Sequence, residues 1–131
     1  MRVDLSNESR PVSEREGEPR RSDLGEALDE LYNVISVRRE KRPDGSYTTY
    51  LFNSGLDKIL KKIAEEAGEV IIAAKNDSSE RIAAESADLL YHLLVLLCDR
   101  GISLAEIREE LLRRRSDSKH REAREQGPTK R

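Results

Sequence analysis

The sequence has little of what several classes of functional site require. Its 131 residues include one cysteine, Cys98, two histidines and no tryptophan. A single thiol cannot form an intramolecular disulfide, and no cysteine and histidine spacing typical of a zinc site is present. The seven glycines match neither a phosphate-binding loop nor a dinucleotide-binding fingerprint. The sequence therefore argues against a disulfide scaffold, a zinc module and the common glycine-rich nucleotide sites.

Long apolar runs and an excess of one charge sign are also missing. The longest apolar run, residues 93–98, is far below the roughly 20 residues that a membrane span needs, and the N-terminus lacks the apolar segment of a signal peptide. The 24 basic and 26 acidic residues leave a net charge of −2. The sequence therefore lacks the excess of positive charge that favours general binding of nucleic acid. We expect a soluble, cytoplasmic protein that binds neither membranes nor nucleic acid.

The apolar residues are concentrated in the middle of the chain. Residues 1–22 carry two prolines, one glycine and many charges, and residues 113–131 are charged without periodic apolar positions. Such segments bury too little apolar surface to offset the entropy lost on ordering. We expect a disordered N-terminal tail over residues 1–22, a single domain over residues 23–112, and a disordered charged C-terminal tail over residues 113–131.

Apolar residues recur at helical spacing in four segments of this domain. The first helix is expected to begin at Asp23, with Glu26 as its capping-box partner, and to end before the turn at residues 42–45. The other three are expected over residues 56–75, over residues 80–99, and after a capping box formed by Ser103 and Glu106. The third helix is apolar nearly all round in its second half, which predicts a central position or cover by a partner chain. Cys98 in that helix is interpreted as a small core residue.

The segment at residues 46–55, SYTTYLFNSG, contains most of the aromatic residues. Its β-branched and aromatic side chains are compatible with a short strand or with an extended connector, and composition alone does not decide between them. Tyr47 and Tyr50 in this segment are candidates for stacking on a nucleotide base. The alternative is that they only anchor the connector.

Two acidic pairs stand on the second and third predicted helices. Glu66 is followed by Glu69, and Glu85 is followed by Asp88. Spacing of three residues places both carboxylates of a pair on one side of a helix, one turn apart. Two such helices packed together would gather four oxygen ligands, and Mg²⁺ and Mn²⁺ prefer oxygen ligands. The pattern favours a metal-dependent nucleotide site.

Two alternatives to a metal site remain open: a solvated helix face and a salt bridge to a lysine. Glu66 and Glu69 have no basic residue four positions downstream. The pattern therefore lacks the ion pairs that would stabilise a solvent-exposed helix face. Aspartate is unfavourable in the middle of a helix, and yet Asp88 directly precedes the largely apolar segment at residues 89–98. A charge buried there needs a partner, which a metal would supply.

A histidine and three lysines are further candidates for the site. His92 shares a helix face with Glu85 and Asp88, either as a core histidine hydrogen-bonded to Asp88 or as a metal ligand. Lys58, Lys62 and Lys75 stand on the second helix or at its end. Their ammonium groups are candidates for binding phosphates, and the alternative for each is an ordinary solvated lysine.

Two segments together resemble a known family: GLDKILKKIAEEAGEVIIAAKN at residues 55–76 and AAESADLLYHLLVLLCDRGISL at residues 83–104. They are similar to the phosphoribosyl-ATP pyrophosphohydrolases, which act in the second step of histidine biosynthesis and are related to MazG and the dimeric dUTPases. The resemblance extends to residues 46–48 and covers about residues 24–112. It implies an all-α fold, a MazG-like four-helix bundle formed on homodimerisation.

The resemblance also implies a reaction and roles for the acidic residues. The reaction is the Mg²⁺-dependent hydrolysis of 1-(5-phosphoribosyl)-ATP to 1-(5-phosphoribosyl)-AMP and pyrophosphate, with Mn²⁺ as an alternative cation. The family's metal motif falls on Glu66, Glu69, Glu85 and Asp88. Either Glu65 or Glu69 would act as the general base.

The substrate would contact other side chains. The candidates for substrate binding are Lys58, Lys62, Lys75, Tyr47 and His92. Many relatives are fused to the cyclohydrolase that acts next, which implies a functional link to a separate phosphoribosyl-AMP cyclohydrolase. Exposed apolar surface on the third helix is expected to favour a homodimer.

Two other functions are consistent with the same residues. One is a MazG-type house-cleaning pyrophosphohydrolase, which would keep the metal site and act on non-standard or deoxynucleoside triphosphates. The other is a non-catalytic helical interaction module, in which the acids form only a solvated or salt-bridged face. A substrate panel distinguishes the first, and the effect of Mn²⁺ on melting distinguishes the second.

Overall fold

The structure is a computed structural model that describes residues 22–76 and 78–127, and within them all regular secondary structure is helical. The helices are α1 (Leu24–Lys41), α2 (Tyr47–Ser54), α3 (Leu56–Lys75), α4 (Ser79–Arg100) and α5 (Leu104–Glu125). The chain divides between residues 100 and 101 into two compact units. The first contains α1 to α4, and the second contains α5. The all-α prediction is confirmed.

Helix α1 begins where it was expected, with Asp23 at the N-cap position, but its capping contact differs. The hydroxyl of Ser22 accepts a hydrogen bond from the backbone N–H of Leu24 at 3.1 Å, whereas the side chain of Asp23 makes no capping bond. The predicted capping box between Asp23 and Glu26 was therefore wrong. The serine one position earlier supplies an oxygen to an N-terminal amide that would otherwise have no helical partner.

The segment predicted as a strand or connector is helix α2. The side chain of Ser46 caps it by accepting from the backbone N–H of Thr49, and Gly55 ends it with a φ of 93°. Thr48, Leu51 and Phe52 on this helix are buried. Both alternatives for the segment were wrong, because burial of one helical face outweighs the preference of threonine and tyrosine for extended backbone.

The core of the first unit surrounds α4. This helix packs most extensively against α3, to which a short connection joins it, and it also contacts α1 and α2. Ile35, Leu51, Ile59 and Val95, one from each helix, are fully buried. The bounds of α3 agree with the prediction, and α4 is one residue longer at each end. The predicted central position of the apolar third helix is confirmed.

The C-terminal end of α4 is tied to α1. The guanidinium of Arg39 donates hydrogen bonds to the carbonyl oxygens of Cys98 at 2.9 Å and Asp99 at 3.3 Å. These carbonyls belong to the last turn, where no further helical N–H is present to bond them. Cys98 is 3% exposed, with its sulfur 3.3 Å from the hydroxyl oxygen of Ser36, as expected for a small core residue.

Helix α5 opens on the predicted capping box of Ser103 and Glu106, in which both reciprocal hydrogen bonds are present. It continues through Glu125, so residues 113–125 are helical where a disordered tail was expected. Ion pairs one turn apart support this extension, since Glu110 accepts from the guanidinium groups of Arg113 and Arg114. These two hydrogen bonds lower the pKa of Glu110 to about 2.

Parts of the expected domain plan lie outside the described residues. These parts are residues 1–21, which make up most of the expected N-terminal tail, and residues 128–131. The domain limits of residues 23–112 stay a prediction. Among the described helices, none is long and apolar enough to cross a membrane.

Candidate metal centre

Three carboxylates meet at the contact between α3 and α4. Glu66 of α3 and Glu85 and Asp88 of α4 each offer an oxygen, and these oxygens all lie within 4.8 Å of one another. The three residues are 4%, 8% and 4% exposed. Because Glu85 and Asp88 are one helical turn apart, both reach the same spot on α3. Burying three acidic groups together is costly unless positive charge compensates them. The cluster therefore suits a hard divalent cation.

Lys62, one turn before Glu66 on α3, places one positive charge beside the cluster. Its ammonium nitrogen lies 3.1 Å from Oε2 of Glu65 and 3.6 Å from Oε1 of Glu66. Burial by itself would lower the pKa of Lys62, but the hydrogen bond to Glu65 and the nearby acidic groups outweigh it and raise that pKa. Lys62 is therefore charged at neutral pH, with Glu66 within reach.

The other two predicted acidic residues are more exposed. Glu69 is on the exposed surface of α3 and does not belong to the three-residue cluster found among the described residues. Glu65 is also exposed and pairs with Lys62 and, at 3.9 Å, with Lys61. The hydrogen bond from Lys62 is the largest influence on Glu65 and lowers its pKa. The roles of Glu69 as a ligand and of either residue as a base stay predictions.

His92 is fully buried and hydrogen-bonded through both ring nitrogens. Its Nδ1 lies 2.7 Å from the backbone carbonyl oxygen of Asp88, and its Nε2 lies 3.0 Å from the hydroxyl of Tyr47. Of the two interpretations offered by the sequence, the geometry matches the hydrogen-bonded core histidine. The bond goes to the backbone carbonyl oxygen of Asp88, and the carboxylate of that residue belongs to the cluster.

Tyr47 connects α2 to the centre of the first unit. Its ring stacks with those of Tyr50 and Tyr91 at centroid distances of 6.1 Å and 6.2 Å. Burial raises the pKa of Tyr47, and the positive charge of Lys62 opposes that increase. The hydroxyl of Tyr91 is hydrogen-bonded to Thr48, which the sequence analysis did not single out. Tyr47 thus anchors α2 and at the same time lies within electrostatic reach of Lys62.

The remaining predicted lysines are spread along α3. The ammonium of Lys58 lies 5.8 Å from the ring centroid of Tyr50, a half-exposed side chain. Lys75 is exposed at the C-terminal end of the helix. At a rise of 1.5 Å per residue, Lys58 and Lys75 are about 12 Å and about 14 Å from Glu66 along the axis. Of the three lysines, only Lys62 directly borders the cluster.

These observations define a class: an all-α protein with a buried carboxylate site suited to a hard divalent cation. Residues 28–115 match the family model described as phosphoribosyl-ATP pyrophosphohydrolase. The chain belongs to this family. The resemblance stated from the two sequence segments is confirmed, and the matched region contains the whole carboxylate cluster.

Individual relatives agree with the family model. The chain is 54% identical over 87 residues to a phosphoribosyl-ATP pyrophosphatase of Lactiplantibacillus plantarum, which covers 66% of this chain and 82% of the relative. It is 60% identical over 87 residues to the protein of the same name from Listeria monocytogenes serotype 4a, covering 66% of this chain and 84% of that one. It is also 53% identical over 90 residues to the histidine biosynthesis bifunctional protein HisIE of Bacillus subtilis, covering 69% of this chain and 43% of that protein.

Proposed function

We propose that this protein hydrolyses 1-(5-phosphoribosyl)-ATP to 1-(5-phosphoribosyl)-AMP and pyrophosphate, a step of histidine biosynthesis, with the help of a divalent cation. The observation that carries the proposal is the buried cluster of Glu66, Glu85 and Asp88 inside the region that matches the family. Relatives that are more than half identical over that region are named for this activity.

The residues of the cluster fit Mg²⁺, with Mn²⁺ as the alternative. The donor set consists of three buried carboxylates with oxygens within 4.8 Å of one another, and oxygen donors are the ligands that these cations prefer. Glu66, Glu85 and Asp88 would hold the cation, with Glu69 as the fourth carboxylate. When bound, the cation supplies Lewis-acid polarisation and neutralises charge on the triphosphate.

The chain's own residues account for binding and for proton transfer. Lys62 would bind phosphate oxygens beside the cluster, and Lys58 and Lys75 would reach more distant parts of the substrate. A water oxygen forms a bond to phosphorus while the α–β phosphoanhydride bond breaks, and pyrophosphate leaves with the electron pair. A glutamate accepts the proton of the water. Either Glu65 or Glu69 would serve as this base, and with Glu69 as the fourth ligand of the cation the role falls to Glu65.

We also propose that the protein is a homodimer, formed by a face different from the one expected. Large apolar side chains of the first unit are exposed mainly on α1 and α3, whereas α4, the third predicted helix, is largely covered. On α3, Leu60 and Ile71 stand only about 20° apart around the helix axis. Between them lie Ala64 and Gly68, and a Cβ added at Gly68 would meet nothing within 4 Å. Such a stripe suits close packing of a second copy's helix.

The product would pass to another enzyme of the pathway. The bifunctional relative is much longer than the region it shares with this chain, since the match covers 43% of it. This supports a functional link to a separate phosphoribosyl-AMP cyclohydrolase. A cytoplasmic location stays a prediction.

The test is pyrophosphate release from phosphoribosyl-ATP with Mg²⁺ and with EDTA. We expect release only with the metal, and a loss of at least about 100-fold in Glu66→Gln and Asp88→Asn variants that remain folded. Glu109→Gln, an exposed glutamate of α5, is the matched control and should retain full activity.

Two outcomes would replace the proposal. Release from dUTP or dCTP but not from phosphoribosyl-ATP would keep the site and assign a MazG-type house-cleaning activity. If no nucleotide releases pyrophosphate and Mn²⁺ does not change the melting temperature, the protein is a non-catalytic helical module.

A further inference from the structure

Arg81 is an exposed cation in the first turn of α4 that the proposed reaction does not use. It stands one helical turn before Glu85 and two turns before Asp88. With 3.6 residues per turn, its direction around the helix axis differs from that of Glu85 by about 40° and from that of Asp88 by about 20°. Arg81 therefore lies on the side of α4 that carries two carboxylates of the cluster.

Helices α3 and α4 run in opposite directions past this cluster. Only residues 76–78 join them, and the two helices pack along each other. Glu66 stands ten residues before the start of this connection, and Asp88 stands ten residues after its end. In an antiparallel pair these two positions are at the same height, which agrees with the meeting of their carboxylates.

Lys62 and Arg81 occupy equivalent positions on the two helices. Lys62 stands one turn before Glu66, and Arg81 stands one turn before Glu85. Because the helices are antiparallel, Arg81 lies on the side of the cluster near the connection, and Lys62 lies on the opposite side. At a rise of 1.5 Å per residue, Arg81 is about 6 Å from Glu85 and about 10 Å from Asp88 along the axis. The site thus has a cation at each end.

The surface of α3 between the cluster and the connection is open. Glu69, one turn after Glu66, is exposed, and Ile72, one turn further, is 53% exposed. These two side chains differ in direction by about 60° around the helix axis. An exposed apolar side chain next to polar groups is typical of a surface that holds a nucleotide base. This stretch can therefore hold the nucleoside of a substrate that extends from the cluster.

Helix stability does not account for an arginine at position 81. The first turn of a helix favours acidic side chains, because the helix dipole places positive charge there. Arginine four residues before glutamate is also the less favourable order for an ion pair on a helix. A basic side chain at this position is better explained by an anion that it binds.

We propose that Arg81 is a specificity-determining residue, which binds the phosphate of the phosphoribosyl group. The inference rests on the proposed function, whose substrate carries a triphosphate at one end and this phosphate monoester at the other. With the triphosphate at the carboxylate cluster and Lys62, the adenosine extends toward the connection between α3 and α4. The guanidinium of Arg81 then donates hydrogen bonds to the monoester. ATP lacks this group, so Arg81 favours phosphoribosyl-ATP over ATP.

Binding of the reaction product tests this contact without turnover. In calorimetry with Mg²⁺, Arg81→Gln should weaken binding of phosphoribosyl-AMP roughly tenfold, the effect of one lost hydrogen bond to a charged group, and should leave binding of AMP unchanged. Arg81→Lys keeps the charge without the planar group and should give an intermediate affinity. Arg108→Gln, which alters an exposed arginine of α5, is the matched control and should bind both nucleotides as the wild type does.

Kinetics should show the same contrast. Arg81→Gln should raise KM for phosphoribosyl-ATP roughly tenfold, with little change in kcat and with the melting temperature of the wild type. An unchanged affinity for phosphoribosyl-AMP would overturn the inference. An equal loss for AMP would also overturn it, because Arg81 would then contact a group that both nucleotides share.

Failure of this inference can be told apart from failure of the proposed function. If the wild type releases no pyrophosphate from phosphoribosyl-ATP, the proposed function fails, and calorimetry still decides whether Arg81 binds the monoester. If the wild type and Arg81→Gln both hydrolyse phosphoribosyl-ATP with the same KM, only the assignment of Arg81 fails.

Discussion

Acidic residues are treated in opposite ways by the two units of this protein. At the contact of α3 and α4, Glu66, Glu85 and Asp88 are gathered into a buried cluster. Along α5, acidic groups such as Glu110 stay on the surface and pair with arginines one turn away. Acidic residues thus give a candidate metal centre in one unit and a solvated, self-paired helix in the other. Burial, rather than the number of charges, separates them.

The largest effect should come from removing a buried acid. Glu85→Gln should lose at least about 100-fold in Mg²⁺-dependent activity and lose the increase in melting temperature that Mn²⁺ produces in the wild type. That increase corresponds to about 2.7 kcal/mol at 100 times the dissociation constant. Glu122→Gln on exposed α5 is the control and should change neither quantity. An equal loss of activity in both variants would show that the buried acids of the first unit and the exposed acids of α5 do not differ in function.

The apolar surfaces should differ in the same way. Ile71→Glu places a charge in the proposed dimer face of α3 and should convert the dimer to a monomer in sedimentation experiments, since a charge buried without a partner is strongly unfavourable. Ile107→Glu alters a side chain of α5 that is also exposed, and it should leave the dimer intact. Dissociation by the second substitution and not by the first would move the interface to α5.

Core packing gives a third comparison. Leu51 is fully buried on α2, whereas Leu111 of α5 is 63% exposed. Leu51→Ala should lower the free energy of unfolding by about 2–5 kcal/mol through lost burial and a residual cavity, and Leu111→Ala by no more than about 0.5 kcal/mol. Chemical denaturation at fixed protein concentration measures both. Similar losses would show that α5 buries this face in solution.

The smallest effect concerns pH. The pKa of Glu110 is about 2 in the folded protein because Arg113 and Arg114 donate hydrogen bonds to it, against about 4.3 in an unfolded chain. Since the folded value is the lower one, the contribution of Glu110 to helix stability is present above about pH 4.3 and disappears as pH falls through 2. Titration of its carboxyl signal by NMR should show the low pKa.

The arginines provide the control for this titration. Arg113→Gln combined with Arg114→Gln should bring the pKa of Glu110 back toward its ordinary range. A low pKa that persists without both arginines would contradict the assigned cause.

Local sequence determined much of this protein. Periodic apolar residues predicted α3 and α4 within one residue at each end, and the Ser103 capping box marked the start of α5. The sequence also predicted that Glu85 and Asp88 lie on one side of α4, and two of its segments indicated the family. These features depend on contacts within one or two helical turns, which the order of residues specifies directly.

Tertiary structure decided the rest. Residues 47–54 became helix α2 because their apolar side chains could be buried, against their extended preference. The rotation of α3 against α4 selected Glu66 for the buried cluster and left Glu69 on the surface. The bond between Tyr47 and His92 joins residues 45 positions apart. No local pattern specifies how two helices rotate against each other or which distant side chains meet, because packing of the whole unit determines both.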